Sequence, residues 1–145
     1  MDILISLLAG AVAGIAMGII SDGGYRLRLF RSSQVLVDAD WGLRTVPAPT
    51  GAGARYALGW GMHIATSAAF GAAYGIITWA FDWDLQSPWL VTLYAALLWV
   101  SMLLAALPVA GQGFLGRRTG RWAWLEQAVL HVVFGLVFWS ILQLA

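Results

Sequence analysis

Two histidines, and no others, lie inside apolar runs of this 145-residue chain: His63 in WGMHIATSAAFGAAYG and His131 in LEQAVLHVVFGLVFW. An imidazole can ligate a metal, pass a proton or hydrogen-bond across helices, and the bonds at its two nitrogens decide which. On a helix, His63 shares one face with Ser67, Phe70 and Tyr74, and His131 with Trp124, Gln127, Gly135 and Phe138. Three uses compete. In the first, each imidazole bonds a backbone carbonyl, Ser67, Thr66 or Gln127 and ties helices together. In the second, His63 and His131 are axial ligands of a b-type haem, with Gly61, Ala65, Gly71 and Gly135 leaving room for the macrocycle. In the third, Glu126, the one acid inside an expected apolar helix, joins His131 in a proton or cation path. Glu126 lies one turn into its helix, where a carboxylate suits the positive dipole end, and five residues place it ~140° around the axis from His131.

Other chemistries lack their residues. The chain has no Cys, so it offers neither a thiol nucleophile nor a thiolate metal site. No HExxH and no Ser–His–Asp set with a plausible orienter occurs, and Asp82 and Asp84 share a short loop with no helical scaffold. The run GQGFLG, 111–116, satisfies GxGxxG, but it follows an apolar helix rather than a strand, so it reads as a close-packed turn. The expectation is a protein that is not an enzyme and holds no metal.

The elements that position the histidines follow from composition. Hydrophobic residues make up 61% of the chain and charged ones 10%, with nine Trp. A soluble domain carries roughly 25% charged residues, so the pattern is that of an integral membrane protein. Apolar segments span about 3–20, 57–81, 89–107 and 122–145. Each is close to the ~20 residues that cross a bilayer as a helix. All eight cations are arginines, and they fall in the connections 21–56 and 108–121. Positive loops stay cytoplasmic, which predicts an all-α four-transmembrane-helix bundle with both termini outside. Trp79, Trp83, Trp89 and Trp139 then mark the outer boundary, and Trp60, Trp122 and Trp124 the inner one.

The four segments form one domain, 1–145, that reads as two similar helical hairpins, aligned by His63 on His131, Ser67 on Gly135 and Phe70 on Phe138. Gly10, Gly14 and Gly18 recur every fourth residue, and with Gly71, Gly75 and Gly135 they are expected to let helices approach closely. Within the chain is the preferred place for that packing; a second subunit is the alternative. In the longer first connection, Val35 to Trp41 reads as a solvated connector, with a headgroup or partner-subunit contact as alternatives, and Pro47 and Pro49 mark irregular backbone.

Three short motifs carry a resemblance. LGWGMHIATSAAFGAAYG, LPVAGQGFLG and LEQAVLHVVFG resemble a family of small bacterial inner-membrane proteins of the YagU type. Gly59, Trp60, His63, Pro108, Ala110, Gly111, Gly113, Leu130, His131 and Gly135 match its pattern, whereas Thr66 or Ser67 stands where a glycine would follow the first histidine. The resemblance implies the four-helix fold and a recurring histidine pair, and assigns no reaction. The reading from sequence is a non-catalytic accessory or assembly subunit of a larger inner-membrane complex, possible haem b aside without a cofactor. Its partners are the bilayer, anionic headgroups at the arginines, and a partner subunit or second copy, but no nucleic acid. A b-type cytochrome using His63 and His131, in a respiratory or electron-transfer setting, is the alternative. A transporter component using Glu126 and His131 is the third reading.

Overall fold

The computed structural model describes residues 2–45 and 51–144, with the side chain of Thr45 left aside. All regular elements among them are helical: α1 Asp2–Arg26, α2 Gln34–Thr45, α3 Ala52–Ala80, α4 Pro88–Ser101, a π-helical turn Met102–Ala106, α5 Leu107–Val109, a 3-10 turn Phe114–Gly116, and α6 Ala123–Leu142. Among the described residues three stretches are long and apolar enough to cross a membrane: Asp2–Arg26, Pro88–Val109 and Ala123–Leu142. At 29 residues α3 is the longest helix, yet its Gly, Ser, Thr, Tyr and Trp residues dilute its hydropathy. Pro47 and Pro49 lie outside the described residues.

Size, not polarity, decides which face of α1 is inside. Ser6, Ala9, Gly10, Ala13, Gly14, Met17 and Gly18 are buried, while Leu4, Leu8, Val12 and Ile19 are exposed. In lipid, burying Leu gains little over leaving it among acyl chains, so close backbone approach decides the seam. A β-carbon at Gly10 would fall on the Ser67 carbonyl oxygen, and one at Gly71 on that of Ser6. At Gly18 it would come within 2.8 Å of the Trp60 ring, and at Gly75 within 2.9 Å of Ser6 Oγ. These contacts run in opposite senses along the two helices, so α1 and α3 pack antiparallel within the chain.

Helices α4 and α6 form the second antiparallel pair, where a β-carbon at Gly135 would lie 3.2 Å from Ala95 Cβ. Trp99 Nε1 donates to the Trp124 carbonyl (3.0 Å) at one end, and Trp139 Nε1 to that of Gln86 (2.9 Å) at the other. The core between the pairs is built from Met17, Tyr74, Leu130, Phe134 and Phe138, where Tyr74 meets Phe138 edge-on at 5.3 Å. The hairpins differ at the aligned aromatics. Phe138 is fully buried, whereas Phe70 is 46% exposed.

The connection 21–56 departs most from the expected solvated loop. Helix α1 continues to Arg26, closed by an Arg26 Nε to Asp22 hydrogen bond of 2.7 Å, and α3 begins at Ala52. Between them α2 packs on α3, with Val35, Val37 and Ala39 fully buried. Gly59 permits this, because a β-carbon there would strike the Val35 carbonyl oxygen. Ser21 Oγ accepts from Gln34 N (2.7 Å), and Asp22 accepts from Ser33 Oγ (3.2 Å) and Tyr56 OH (2.6 Å). The polar end of α1 thus captures the start of α2. At the 111–116 turn Gly111, Gly113 and Gly116 all hold positive φ (86°, 77° and 71°), so the glycines there serve backbone geometry.

Filling the α1–α3 seam should cost stability in proportion to what it strikes. Gly10→Ala and Gly71→Ala are each expected to destabilise the protein by about 1–3 kcal/mol through overpacking. Gly23→Ala, where nothing lies within 4 Å, should be neutral or slightly stabilising. Unfolding in mixed micelles on titration with a denaturing detergent checks the difference; equal midpoints for all three would remove the seam from the account.

Candidate functional site

The site begins with a bare stretch of α1 backbone. Because Gly14 has no side chain and Ser67 opposite it is small, α3 comes close enough for His63 Nε2 to donate to the Gly14 carbonyl at 3.0 Å. The other nitrogen of His63, Nδ1, lies 2.6 Å from Asp38 Oδ2 on α2. The Trp60 ring packs edge-on against the imidazole at 6.3 Å. His63 is 4% exposed and is gripped by three helices at once.

Donor arithmetic fixes the proton content of the pair. A carbonyl only accepts, so Nε2 carries a hydrogen. A bond between Nδ1 and a carboxyl oxygen needs one further hydrogen, placed on either atom. The pair is therefore an imidazolium with a carboxylate or an imidazole with a carboxylic acid, and it is electrically neutral in both forms. Removing that shared proton leaves two lone pairs facing each other and one net negative charge in an apolar surrounding.

Asp38 and His63 line a cavity of about 280 Å³ that also meets His131. Helix α2 contributes Gln34, Asp38 and Trp41; α1 contributes Met17; α6 contributes His131 and Phe134. Its remaining walls are Thr66, Ser67 and Phe70 of α3 and the stretch from Leu98 to Val109. Helices α3 and α4 share little close backbone contact, and Tyr94 OH donates to the Phe70 carbonyl at 2.7 Å beyond the cavity's end. Phe70 and Val109, 46% and 44% exposed, stand at the rim, so the space is a slot opening sideways from the bundle.

The π-helical turn Met102–Ala106 forms part of this wall, and its cause is local. Pro108 lacks an N–H, and its ring would crowd the carbonyl four residues back in a regular helix. Leu107 N instead bonds the Met102 carbonyl, five residues back. The wider turn places Met102, Ala105 and Ala106 on the slot. Gln34 Nε2 donates to Met102 Sδ (3.4 Å), which leaves Gln34 Oε1 buried with no partner.

Of the residues singled out from sequence, His63 and His131 come to one cavity. Their bonding differs. His131 Nδ1 donates to the Gln127 carbonyl (2.8 Å) on its own helix, and no hydrogen bond to its Nε2 forms among the described residues. A haem iron would need an imidazole nitrogen of each, and both of His63's are engaged. Glu126 stands apart from the slot lining, its Oε2 accepting from Arg31 N at 2.8 Å and so docking the turn between α1 and α2. Among the described residues no group of three or more His, Asp or Glu converges on a metal position.

Asp38 and Gln34 escaped notice in the sequence. A signal was present: Gln34, Asp38 and Trp41 stand at i, i+4 and i+7, one helical face carrying an acid and an amide. The stretch lay in what read as a connector, so its periodicity carried no weight. Comparisons with protein-family models, with curated proteins and with solved structures return no match for this chain.

Separating the dyad should cost more than its net worth, because either lone partner is left buried. Asp38→Ala and His63→Ala are each expected to destabilise the fold by about 3 kcal/mol. The double variant should cost little more than either alone. A double-mutant cycle in mixed micelles checks this; strict additivity would mean that the two side chains do not act as a pair.

Proposed function

We propose that the chain is a small multi-pass protein of the bacterial inner membrane, a carrier component whose lateral slot binds a small molecule beside an exchangeable proton. The four helices α1, α3, α4 and α6 span the bilayer with both termini outside, and α2 lies across the cytoplasmic end as a cap. One observation carries the reading: His63, buried on a helix in the bundle, uses both ring nitrogens, and one faces the Asp38 carboxyl in a cavity. An ionisable pair inside a membrane protein is costly, and such pairs mark substrate and proton pathways. A purely structural histidine needs only one carbonyl, as His131 illustrates on its own helix. The π-helical turn on the slot wall adds support, since such turns are frequent at functional sites. The third reading from sequence places a proton path at Glu126 and His131, and this proposal places it at Asp38 and His63.

A second reading, the accessory subunit of a larger complex, draws on a different feature. Between α4 and α6 lies an apolar groove of about 460 Å³ with Ala95 and Gly135 among its lining and Trp99 and Trp139 towards its ends. Small residues of this kind admit a neighbouring helix.

Two measurements test the proposal. The natural absence of cysteine makes single-cysteine labelling free of background. Asp84→Cys should react with a membrane-impermeant maleimide on intact cells, and Arg117→Cys only after permeabilisation; the reverse pattern would invert the topology. In ¹⁵N-histidine-labelled protein in bilayers, the His63 ring protons should exchange with deuterated water within minutes. Protection comparable to that of core amides would make the dyad a sealed strut and end the carrier reading.

A further inference from the structure

In the slot wall the hydroxyls of Thr66 and Ser101 donate to carbonyls of their own helices, at 2.8 Å each. Gln34 Oε1 is buried without a partner, and Asp38 presents a carboxyl bonded to His63. Among the described residues no arginine lines the cavity; its titratable groups are Asp38 from α2, His63 from α3 and His131 from α6, with none from α1 or from the α4 side. Aromatic rings of Trp41, Phe70 and Phe134 border the same space, and Met17, Leu98 and Met102 supply apolar surface. Acceptors and π-faces without a competing cation favour a positively charged hydrogen-bond donor. At about 280 Å³ the space suits a small occupant with an apolar body.

We infer that the slot takes a small apolar ammonium ion in exchange for the proton shared by Asp38 and His63. The inference rests on the carrier reading and adds the ligand class and the coupling. The neutral dyad holds one proton between Nδ1 and Oδ2. When R–NH3⁺ enters, that proton leaves to water, so the site passes from one neutral, proton-bearing state to another in which the ammonium balances the Asp38 carboxylate. The ammonium's three N–H groups replace the lost hydrogen, meeting the Asp38 carboxylate, the lone pair exposed at His63 Nδ1 and the Gln34 Oε1. His63 Nε2–H stays on the Gly14 carbonyl throughout. No bond other than the N–H and O–H bonds is made or broken, and charge inside the slot is unchanged, which keeps both states tolerable in a low-dielectric setting. A protein alternating between them exchanges an organic cation for a proton.

The test uses n-hexylammonium on the full chain in lipid nanodiscs, with empty nanodiscs as the blank for partitioning. Titration calorimetry in two buffers of different ionisation enthalpy counts protons, and about one proton should be released per cation bound. In the wild-type protein the Kd should fall about tenfold for each unit rise in pH while the dyad remains protonated, as one-for-one exchange requires. Hexanol and hexanoate should bind at least tenfold more weakly. Gln34→Leu should weaken hexylammonium severalfold, Asp38→Asn should abolish proton release, and Glu126→Gln, away from the slot, should change neither. A pH-independent Kd, or hexanol binding as tightly as the amine, overturns the inference and leaves only an apolar pocket. If hexylammonium fails to bind while the His63 protons exchange with water, the ligand class is wrong and the carrier reading stands. Failure of both removes both.

Discussion

Everything in this molecule depends on how closely α1 approaches α3. Gly10, Gly14 and Gly71 remove the side chains that would hold the two backbones apart, and Ser67 fits where a larger residue would not. Only at that separation can the Gly14 carbonyl reach His63 Nε2. That bond puts a hydrogen on Nε2, so the 2.6 Å contact between Nδ1 and Asp38 Oδ2 needs a second hydrogen, on one atom or the other. A packing feature thereby sets a protonation state. In a bilayer this is an economical arrangement, because the carbonyl used is already bonded along its helix and contributes its second lone pair.

The second dependency runs through α2. Its backbone is captured at one end by Ser21 and Asp22, which close the last turns of α1, and its flank is admitted by Gly59 of α3. These contacts place Gln34 and Asp38 over the open side of a bundle whose α3 and α4 are not zipped together. The slot is the space left over: two tightly packed hairpins, a cap across one end and the Tyr94–Phe70 bond at the other. Pro108 widens the remaining wall, since the missing N–H turns an ordinary helical register into a π turn. Cap, portal and wall each trace to a few small or conformationally restricted residues.

What the sequence discloses, and what it withholds, follows from the same physics. Long apolar runs announce Asp2–Arg26, Pro88–Val109 and Ala123–Leu142 plainly, because crossing lipid demands both length and hydropathy. Helix α3 reads less strongly for the reason that makes it central: it is crowded with small and polar residues that face α1 and α2. Helix α2 is illegible by hydropathy, being short and flanked by charge, and its burial comes from partners far along the chain. The pairing of Asp38 with His63 spans 25 residues and two helices, so nothing local encodes it. The alignment of the two histidines is visible in the sequence, but not their different bonding, which depends on whether a bare carbonyl stands opposite. His63 meets Gly14, and His131 has only its own helix.

That difference argues against treating the two hairpins as functional equals. A duplicated pair of histidines with matched surroundings would suggest a ligand held symmetrically between them, as an axially ligated macrocycle is. Here one histidine is doubly bonded and carries the carboxyl partner, while the other, whose Nε2 makes no hydrogen bond among the described residues, stands at the wall shared by the slot and the α4–α6 groove. The dyad borders the slot beneath α2, whereas His131 borders both the slot and the α4–α6 groove. Two imidazoles on one cavity, one paired with a carboxyl and one bonded only through Nδ1 among the described residues, give the bundle a polar centre with two unlike sides.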